Sequence, residues 1–204
     1  MSLKTLLIAG GSASGKTWLT QRILSHNPDI TSVCQDAFYH DRPSGSAADR
    51  HEFDFDQPYA IDWDEMANAV QSLQTGQSAQ IPIYDFSVSL RAGSEALDPK
   101  GELLIVDGTL VMSQPAMVAL ADACVYVRCP EVLRRARREQ RDVKDRGRDI
   151  EFVRKQLDEQ VFPAHEQHVR PSAQHADLIL DARDILADPD AAVKQVLELV
   201  GRTG

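Results

Sequence analysis

Residues 10–17, Gly10-Gly11-Ser12-Ala13-Ser14-Gly15-Lys16-Thr17, follow the spacing G-x-x-x-x-G-K-[ST] in full. Each part of that pattern suits a bound phosphate chain. Glycines let backbone amides curl around phosphate oxygens, and a helix that starts there adds the partial positive charge of its N-terminus. Lys16 is placed to reach the outer phosphates, and the Thr17 hydroxyl to ligate Mg²⁺. A second oxygen donor follows from Leu103-Leu104-Ile105-Val106-Asp107-Gly108, an apolar run that ends in an acid. A strand of that kind sets Asp107 beside the phosphate loop, where it could hold Mg²⁺ directly or through water.

A phosphate loop alone does not separate a hydrolase from a kinase. The segment Gln35-Asp36-Ala37-Phe38-Tyr39 bears on that choice, because a carboxylate at a strand tip near a γ-phosphate can take the proton of an acceptor hydroxyl. Two clusters mix aromatic rings with acids: Phe53-Asp54-Phe55-Asp56-Gln57-Pro58 and Pro82-Ile83-Tyr84-Asp85-Phe86. Both suit a ribose and a base. A hydrolase has no need of such an acceptor pocket, although a nucleotide switch or ATPase without acceptor remains the contrasting class.

The elements that must carry these residues follow from apolar spacing. Leu3–Ala9 reads as a buried strand, Thr17–His26 as a helix stopped by Asn27-Pro28, and Ile30–Gln35 as a second strand. Residues 36–60 are irregular. A helix is expected over Asp62–Leu73 and strands at Ile81–Phe86 and Leu103–Val106, the last two separated by a turn-rich stretch. Cys124–Val127 reads as a strand, followed by a helix from Pro130-Glu131 and a largely helical Asp149–His168 that Pro163 should break or kink. Leu178–Leu180 is a last short strand, and Asp188-Pro189 opens a helix over Ala191–Val200. Strands alternating with helices predict one α/β domain over residues 1–204 with a mostly parallel sheet.

The chain has 204 residues and a formal charge of −9, which argues against a general nucleic-acid binder. The charge is uneven. Residues 134–148 hold eight basic and three acidic side chains, a net of +5, whereas the remainder carries 14 basic and 28 acidic ones. No stretch approaches a membrane span, and the N-terminal run is too short for a signal peptide. The odd, scattered cysteines Cys34, Cys124 and Cys129 read as free buried thiols of a reducing cytoplasm. His165, His168 and His175 lack the companion acids of a metal site.

Taken in order, these motifs resemble the uridine kinase family, within the phosphoribulokinase and uridine kinase group, over nearly the whole chain. Gln35–Tyr39 is similar to the family's Gln-Asp-Ser-Phe-Tyr, and Phe55–Pro58 with Asp62-Trp63 to its Phe-Asp-His-Pro and Asp-Trp. Pro82–Phe86 with Arg91 resembles its Pro-x-Tyr-Asp-Phe stretch, and Arg141-Asp142 through Arg146-Gly147-Arg148-Asp149 its lid. Ala176–Ile179 echoes its Ala-Asp-x-Ile strand.

The resemblance implies a P-loop NTPase-type three-layer fold with a mostly parallel central sheet, a helical Arg-rich lid near residues 134–150, and transfer of phosphate from ATP with Mg²⁺. It casts Asp36 as catalytic base with Lys16, Arg141 and Arg146, and Asp56 as the group that binds the ribose hydroxyls. Tyr39, Phe55 and Tyr84 would surround the nucleoside, with Ser89, Arg91, Arg138, Arg148 and Gln156 completing the substrate site. It also implies a homo-oligomer. Departures from the family fall near the substrate and metal: Ser89 stands for a His that reads the pyrimidine edge, Gln57 for the His of Phe-Asp-His-Pro, and Asp107 for a Glu of longer reach. The resemblance implies a uridine- or cytidine-like nucleoside as acceptor, with nicotinamide riboside or a sugar phosphate as alternatives that the Ser89 departure leaves open.

Overall fold

The computed structural model describes residues 2–40 and 54–202, so Phe53 lies outside the described residues. Its centre is a five-stranded parallel sheet in the order β2-β5-β1-β6-β7. The strands are β1 (Lys4–Gly10), β2 (Thr31–Cys34), β5 (Leu103–Gly108), β6 (Ala123–Arg128) and β7 (Leu178–Asp181). β1 and β5 are almost continuously buried because helices cover both faces, which explains runs of apolar residues where a one-sided strand would alternate.

Successive residues nevertheless serve different layers. Leu7, Ala9, Val33, Leu104 and Val106 face a layer built on α2 (Trp63–Gln74), which contributes Met66, Val70 and Leu73. Leu6, Ile8, Ile105, Val125 and Val127 face α1 (Lys16–His26) through Leu19 and Ile23, and a C-terminal helix through Val193 and Val196. The result is the expected three-layer α/β fold. Asp62 caps α2, its carboxylate accepting from the Glu65 amide at 3.0 Å.

Several sequence expectations change in three dimensions. The strand expected at Ile81–Phe86 forms, as β3 (Ala79–Asp85), but stands apart from the central sheet. It pairs antiparallel with β4 (Leu90–Leu97), which lies in the turn-rich stretch where no strand is expected. β4 is mostly exposed, with Gly93 and charged residues, so it lacks the apolar pattern that marks a strand; its partner β3 supplies the order. Two short helices were also not foreseen, α3 (Pro115–Ala119) and α6 (Ala182–Ala187), the latter preceding α7 (Pro189–Leu199). Among the cysteines, all free, Cys34 is exposed at the end of the edge strand β2 while Cys124 and Cys129 are buried.

Pro163 does not end its helix. After α4 (Glu131–Lys144), α5 (Ile150–Gln156) continues through a π-helical turn at Leu157–Val161, and a second follows at His165–Val169. The widened turns close with Phe162 N–H on the Leu157 carbonyl and Arg170 N–H on the His165 carbonyl. The residue that closes each wide turn, Phe162 or Arg170, directly precedes a proline, Pro163 or Pro171. A proline disrupts an α-helix by removing an amide donor and crowding the carbonyl four residues back, and the five-residue spacing relieves both.

The tip of β5 and the segment after β2 are locked together. Gln35 is fully buried, and its Oε1 accepts from the Leu110 amide at 2.8 Å. A Cβ on Gly108 would fall on the Cβ of Gln35 and 2.5 Å from its Oε1. Only glycine fits there, and the contact sets Asp36 and Asp107 on neighbouring strand ends. Gly108→Ala is expected to cost about 1–3 kcal/mol through overpacking, read as a lower urea midpoint at unchanged slope.

Candidate active site

The carboxyl ends of all five parallel strands open onto one edge, where α/β sheets generally bind ligands. A cavity of about 490 Å³ runs along it. Its middle is the turn between β1 and α1, where Ser12, Ala13, Ser14, Gly15, Lys16 and Thr17 form the lining. Gly15, at φ +104°, is the residue from which α1 starts, a conformation glycine adopts without strain. Ala13 holds φ +62°, an uncommon angle for a residue with a side chain and one that marks a constrained loop.

On the β2 side the lining continues with Asp36, Tyr39, Phe55, Asp56, Phe86 and Ser89. The rings build a wall: Tyr39 lies 5.2 Å from Phe55, nearly perpendicular to it, and 5.3 Å from Tyr84, which packs 5.1 Å from Phe86. The turn carrying Phe55 and Asp56 is shaped by Asp54, which accepts from the Asp56 amide and from Gln57 Nε2, both at 3.0 Å. Gln57 is tied in turn to His168 of the long helix at 3.0 Å. Burial raises the Asp56 carboxyl above the ordinary carboxylate range, against the opposing pull of Arg138. Ser89 is buried at φ +56° on the β3–β4 turn, a second strained position on the cavity wall.

Arg138, Arg141, Arg146, Arg148 and Gln156 form the facing wall. Their organiser is Asp142, a carboxylate with no exposed surface. It pairs with Arg141 at 2.9 Å, Arg138 at 3.1 Å, Arg146 at 3.4 Å and Arg148 at 3.5 Å. Gln156 Oε1 accepts from Arg138 and Arg148, each at 3.3 Å, and Arg138 also donates to Ser12 Oγ at 2.6 Å. Arg146 lies over the Phe86 ring, 5.9 Å from its centroid. One carboxylate thus holds four guanidinium groups and leaves an excess of positive charge toward the cavity.

Five of the residues expected at the site are not in the cavity lining. Gly10 and Gly11 form the back of the loop, where a Cβ would meet the Val127 carbonyl at 2.6 Å or Arg134 NH1 at 2.6 Å. Tyr84 is a buried member of the aromatic wall that does not reach the cavity lining. Asp107 is buried beside Lys16, Cys34 and Asp36, its carboxyl raised by burial and partly restored by the Lys16 charge. Arg91 turns away altogether. Its Nε donates to the Tyr39 carbonyl at 2.9 Å, and its guanidinium pairs with Glu65 at 2.7 Å and Asp62 at 3.7 Å. Two carboxylates at the start of α2 outcompete the cavity for that charge, so Arg91 fastens the hairpin to the loop bearing Tyr39.

The cavity also takes in residues outside the expected site set: Trp18, Phe86, Thr109, Arg137, and Ala182, Ile185 and Leu186 of α6. Phe86 had a signal, since it lies two positions from Tyr84. Arg137 had one in its helical spacing from Arg134 and Arg141, and it donates to the Ala13 and Ser14 carbonyls at 3.3 Å. The α6 residues had none, because β7 brings them to the site from far along the chain.

A sequence model of the phosphoribulokinase/uridine kinase family matches residues 6–185. The uridine kinase of Staphylococcus epidermidis is 35% identical over 176 residues, 85% of this chain and 84% of that protein. The uridine kinase-like protein 5 of Arabidopsis thaliana is 32% identical over 193 residues; the match takes in 94% of this chain but 41% of that longer protein. In structure, phosphoribulokinase from Rhodobacter spheroides superposes with a TM-score of 0.66 at 16% identity, covering 88% of this chain and 70% of that one.

Asp142 makes the arginine wall sensitive to acid. Burial alone would raise its pKa, but Arg138, Arg141 and Arg146 outweigh that effect and hold it below the ordinary range. A depressed folded pKa stabilises the protein above the unfolded value of about 4, and this contribution disappears as pH falls through the folded value. Asp142→Asn is therefore expected to lose on the order of 3 kcal/mol at pH 7. In paired thermal melts the gap to the unsubstituted protein should narrow as pH drops below about 4.

Proposed function

The chain belongs to the phosphoribulokinase/uridine kinase family, a family of ATP-dependent kinases, and we propose that it phosphorylates the 5′-hydroxyl of a nucleoside. One observation carries this reading: a single cavity has the phosphate loop at its middle and Asp36 with an aromatic wall at one end. The opposite end, formed by Trp18, Ala182, Ile185 and Leu186, is apolar and suits the base of ATP. The uridine kinase named above supports a nucleoside acceptor.

In the proposed reaction the acceptor oxygen forms a bond to the γ-phosphorus as the bridging bond to the β-phosphate breaks, releasing ADP. Asp36 receives the hydroxyl proton. Lys16 and the loop amides hold the phosphates, while Arg138, Arg141, Arg146 and Arg148 neutralise charge on the transferring group. Positioning and electrostatic stabilisation then supply most of the rate. Asp56 would hold the ribose hydroxyls, between Tyr39 and Phe55, with Gln156 keeping Arg138 and Arg148 oriented toward the substrate. Residues 134–150 would act as a lid that excludes water, within one kinase domain spanning residues 1–204.

The residues fit Mg²⁺. Thr17 and Asp107 offer hard oxygen donors, and the Asp107 carboxylate, disfavoured by burial, is supported by the Lys16 charge and by the Cys34 and Thr20 side chains. No group of three or more His, Cys, Asp or Glu side chains among the described residues is set to hold a metal unaided. That suits an ion bound by one or two carboxylates together with nucleotide phosphates. Bound there, Mg²⁺ would neutralise charge on the β- and γ-phosphates. Among the described residues no helix is long and apolar enough to cross a membrane; we place the enzyme in the cytoplasm, as a homo-oligomer.

Ser89 favours a second acceptor class. A small side chain on the cavity wall leaves room that a larger residue would fill, so nicotinamide riboside and sugar phosphates belong in the assay beside uridine and cytidine. ATP consumption against that panel should show one acceptor raising turnover well above basal hydrolysis; no stimulation by any of them sinks the kinase reading. With the best acceptor, Asp36→Asn is expected to lower kcat by about 10²–10⁴, and full activity would reject Asp36 as the base. Ser89→His should improve kcat/KM for pyrimidine nucleosides over the other acceptors. Unchanged selectivity would show that position 89 does not read the base.

A further inference from the structure

Directly behind the phosphate loop lies a charge that the proposed reaction leaves unused. Arg134 is only 3% exposed. Its Nε donates to the Cys129 carbonyl at 3.3 Å, and its guanidinium lies over the Phe162 ring, 5.1 Å from the centroid. NH1 is buried without a hydrogen-bond partner, and among the described residues Glu131 and Glu166 act on the guanidinium only from beyond ion-pair distance. NH1 is aimed at the loop: a Cβ on Gly11 would lie 2.6 Å from it.

His165, from the second π-helical turn, closes on the same glycine. Its Nδ1 would be 2.9 Å from that Cβ and likewise has no hydrogen-bond partner. Burial first, and the neighbouring Arg134 and Arg170 charges second, push its pKa down to about 4, so the ring is neutral at physiological pH. The loop glycine is thus backed by one fixed positive charge and one neutral ring. Burying an unpaired guanidinium is unfavourable, and arginine does not escape by losing its proton. An aliphatic side chain would pack on Phe162 with no such penalty.

We propose that Arg134 is a positioning residue for nucleotide binding, a buried cation whose counter-charge is the phosphate chain held on the opposite side of Gly11. The ligand-free fold carries the unpaired charge, and the bound anion relieves it through one thickness of backbone, where water does not screen the attraction. His165 fills the adjoining space without adding a second charge. Arg134 differs in this from the arginines grouped on Asp142, which already have a carboxylate partner.

The inference rests on residues 10–17 being the phosphate site, and its test separates the two. Binding of ADP and of inorganic tripolyphosphate is measured by calorimetry on the whole chain, alongside thermal midpoints with and without ligand, for the unsubstituted protein, Arg134→Met and Arg134→Lys. Arg134→Met should match or exceed the ligand-free midpoint of the unsubstituted protein, yet bind both anions about tenfold or more weakly. Its affinity for the acceptor should be unaltered, and KM for ATP should rise more than kcat falls. Arg134→Lys, which keeps the charge, should recover most of the anion affinity. An Arg134→Met protein that fails to fold, or melts lower while binding ADP normally, overturns the proposal, because Arg134 is then a structural group. If the unsubstituted protein binds neither anion, the phosphate-site reading itself fails.

Discussion

Guanidinium groups repel one another, and four of them stay on one wall only if a negative charge sits among them. Asp142 is that charge. Its burial would ordinarily favour the neutral acid, but the surrounding arginines reverse the preference, so carboxylate and cations hold each other in their charged forms. Because the pairing is made within a short span of α4 and the loop that follows, the wall is assembled before any ligand arrives. The remaining positive charge faces the cavity with its orientation already determined, which is the condition under which electrostatic stabilisation is most effective.

Around that wall the fold supplies fixed points. The parallel sheet brings the ends of β1, β2 and β5 together, and the tight contact of Gly108 with Gln35 keeps Asp36 near Asp107 and Lys16. The β3–β4 hairpin, outside the main sheet, is held by Arg91 against the Tyr39 loop and the start of α2. It carries Tyr84 and Phe86 into the aromatic wall and brings the strained Ser89 to the cavity. The long helix reaches the site from the other side, and its two wide turns let it pass Pro163 and Pro171 without ending. One of those turns delivers both His165 to the back of the phosphate loop and His168 to Gln57.

Much of this was legible in the chain before any coordinates. The run from β1 into residues 10–17 is local: strand, glycines, lysine and helix start are consecutive, so spacing alone reports them. The order of strands and helices follows from apolar periodicity, and the dense positive block at residues 134–148 is plain from counting. Harder to read were elements whose order comes from a partner. β4 is exposed and polar and becomes a strand only against β3, while the helix through Pro163 survives only by adopting a wide turn.

By itself the sequence determined the phosphate loop, the class of fold, and which acids and arginines were available for chemistry, because those signals lie within a few residues of one another. Only the tertiary structure decided their use. It turned Arg91 away from the cavity lining toward Glu65 and Asp62, gathered four arginines on Asp142, and brought α6 to the far end of the cavity. It also left the NH1 of Arg134 buried without a hydrogen-bond partner. Such outcomes depend on which charges compete for a side chain in space and on how thoroughly burial strengthens each pairing, neither of which can be read from spacing along a chain.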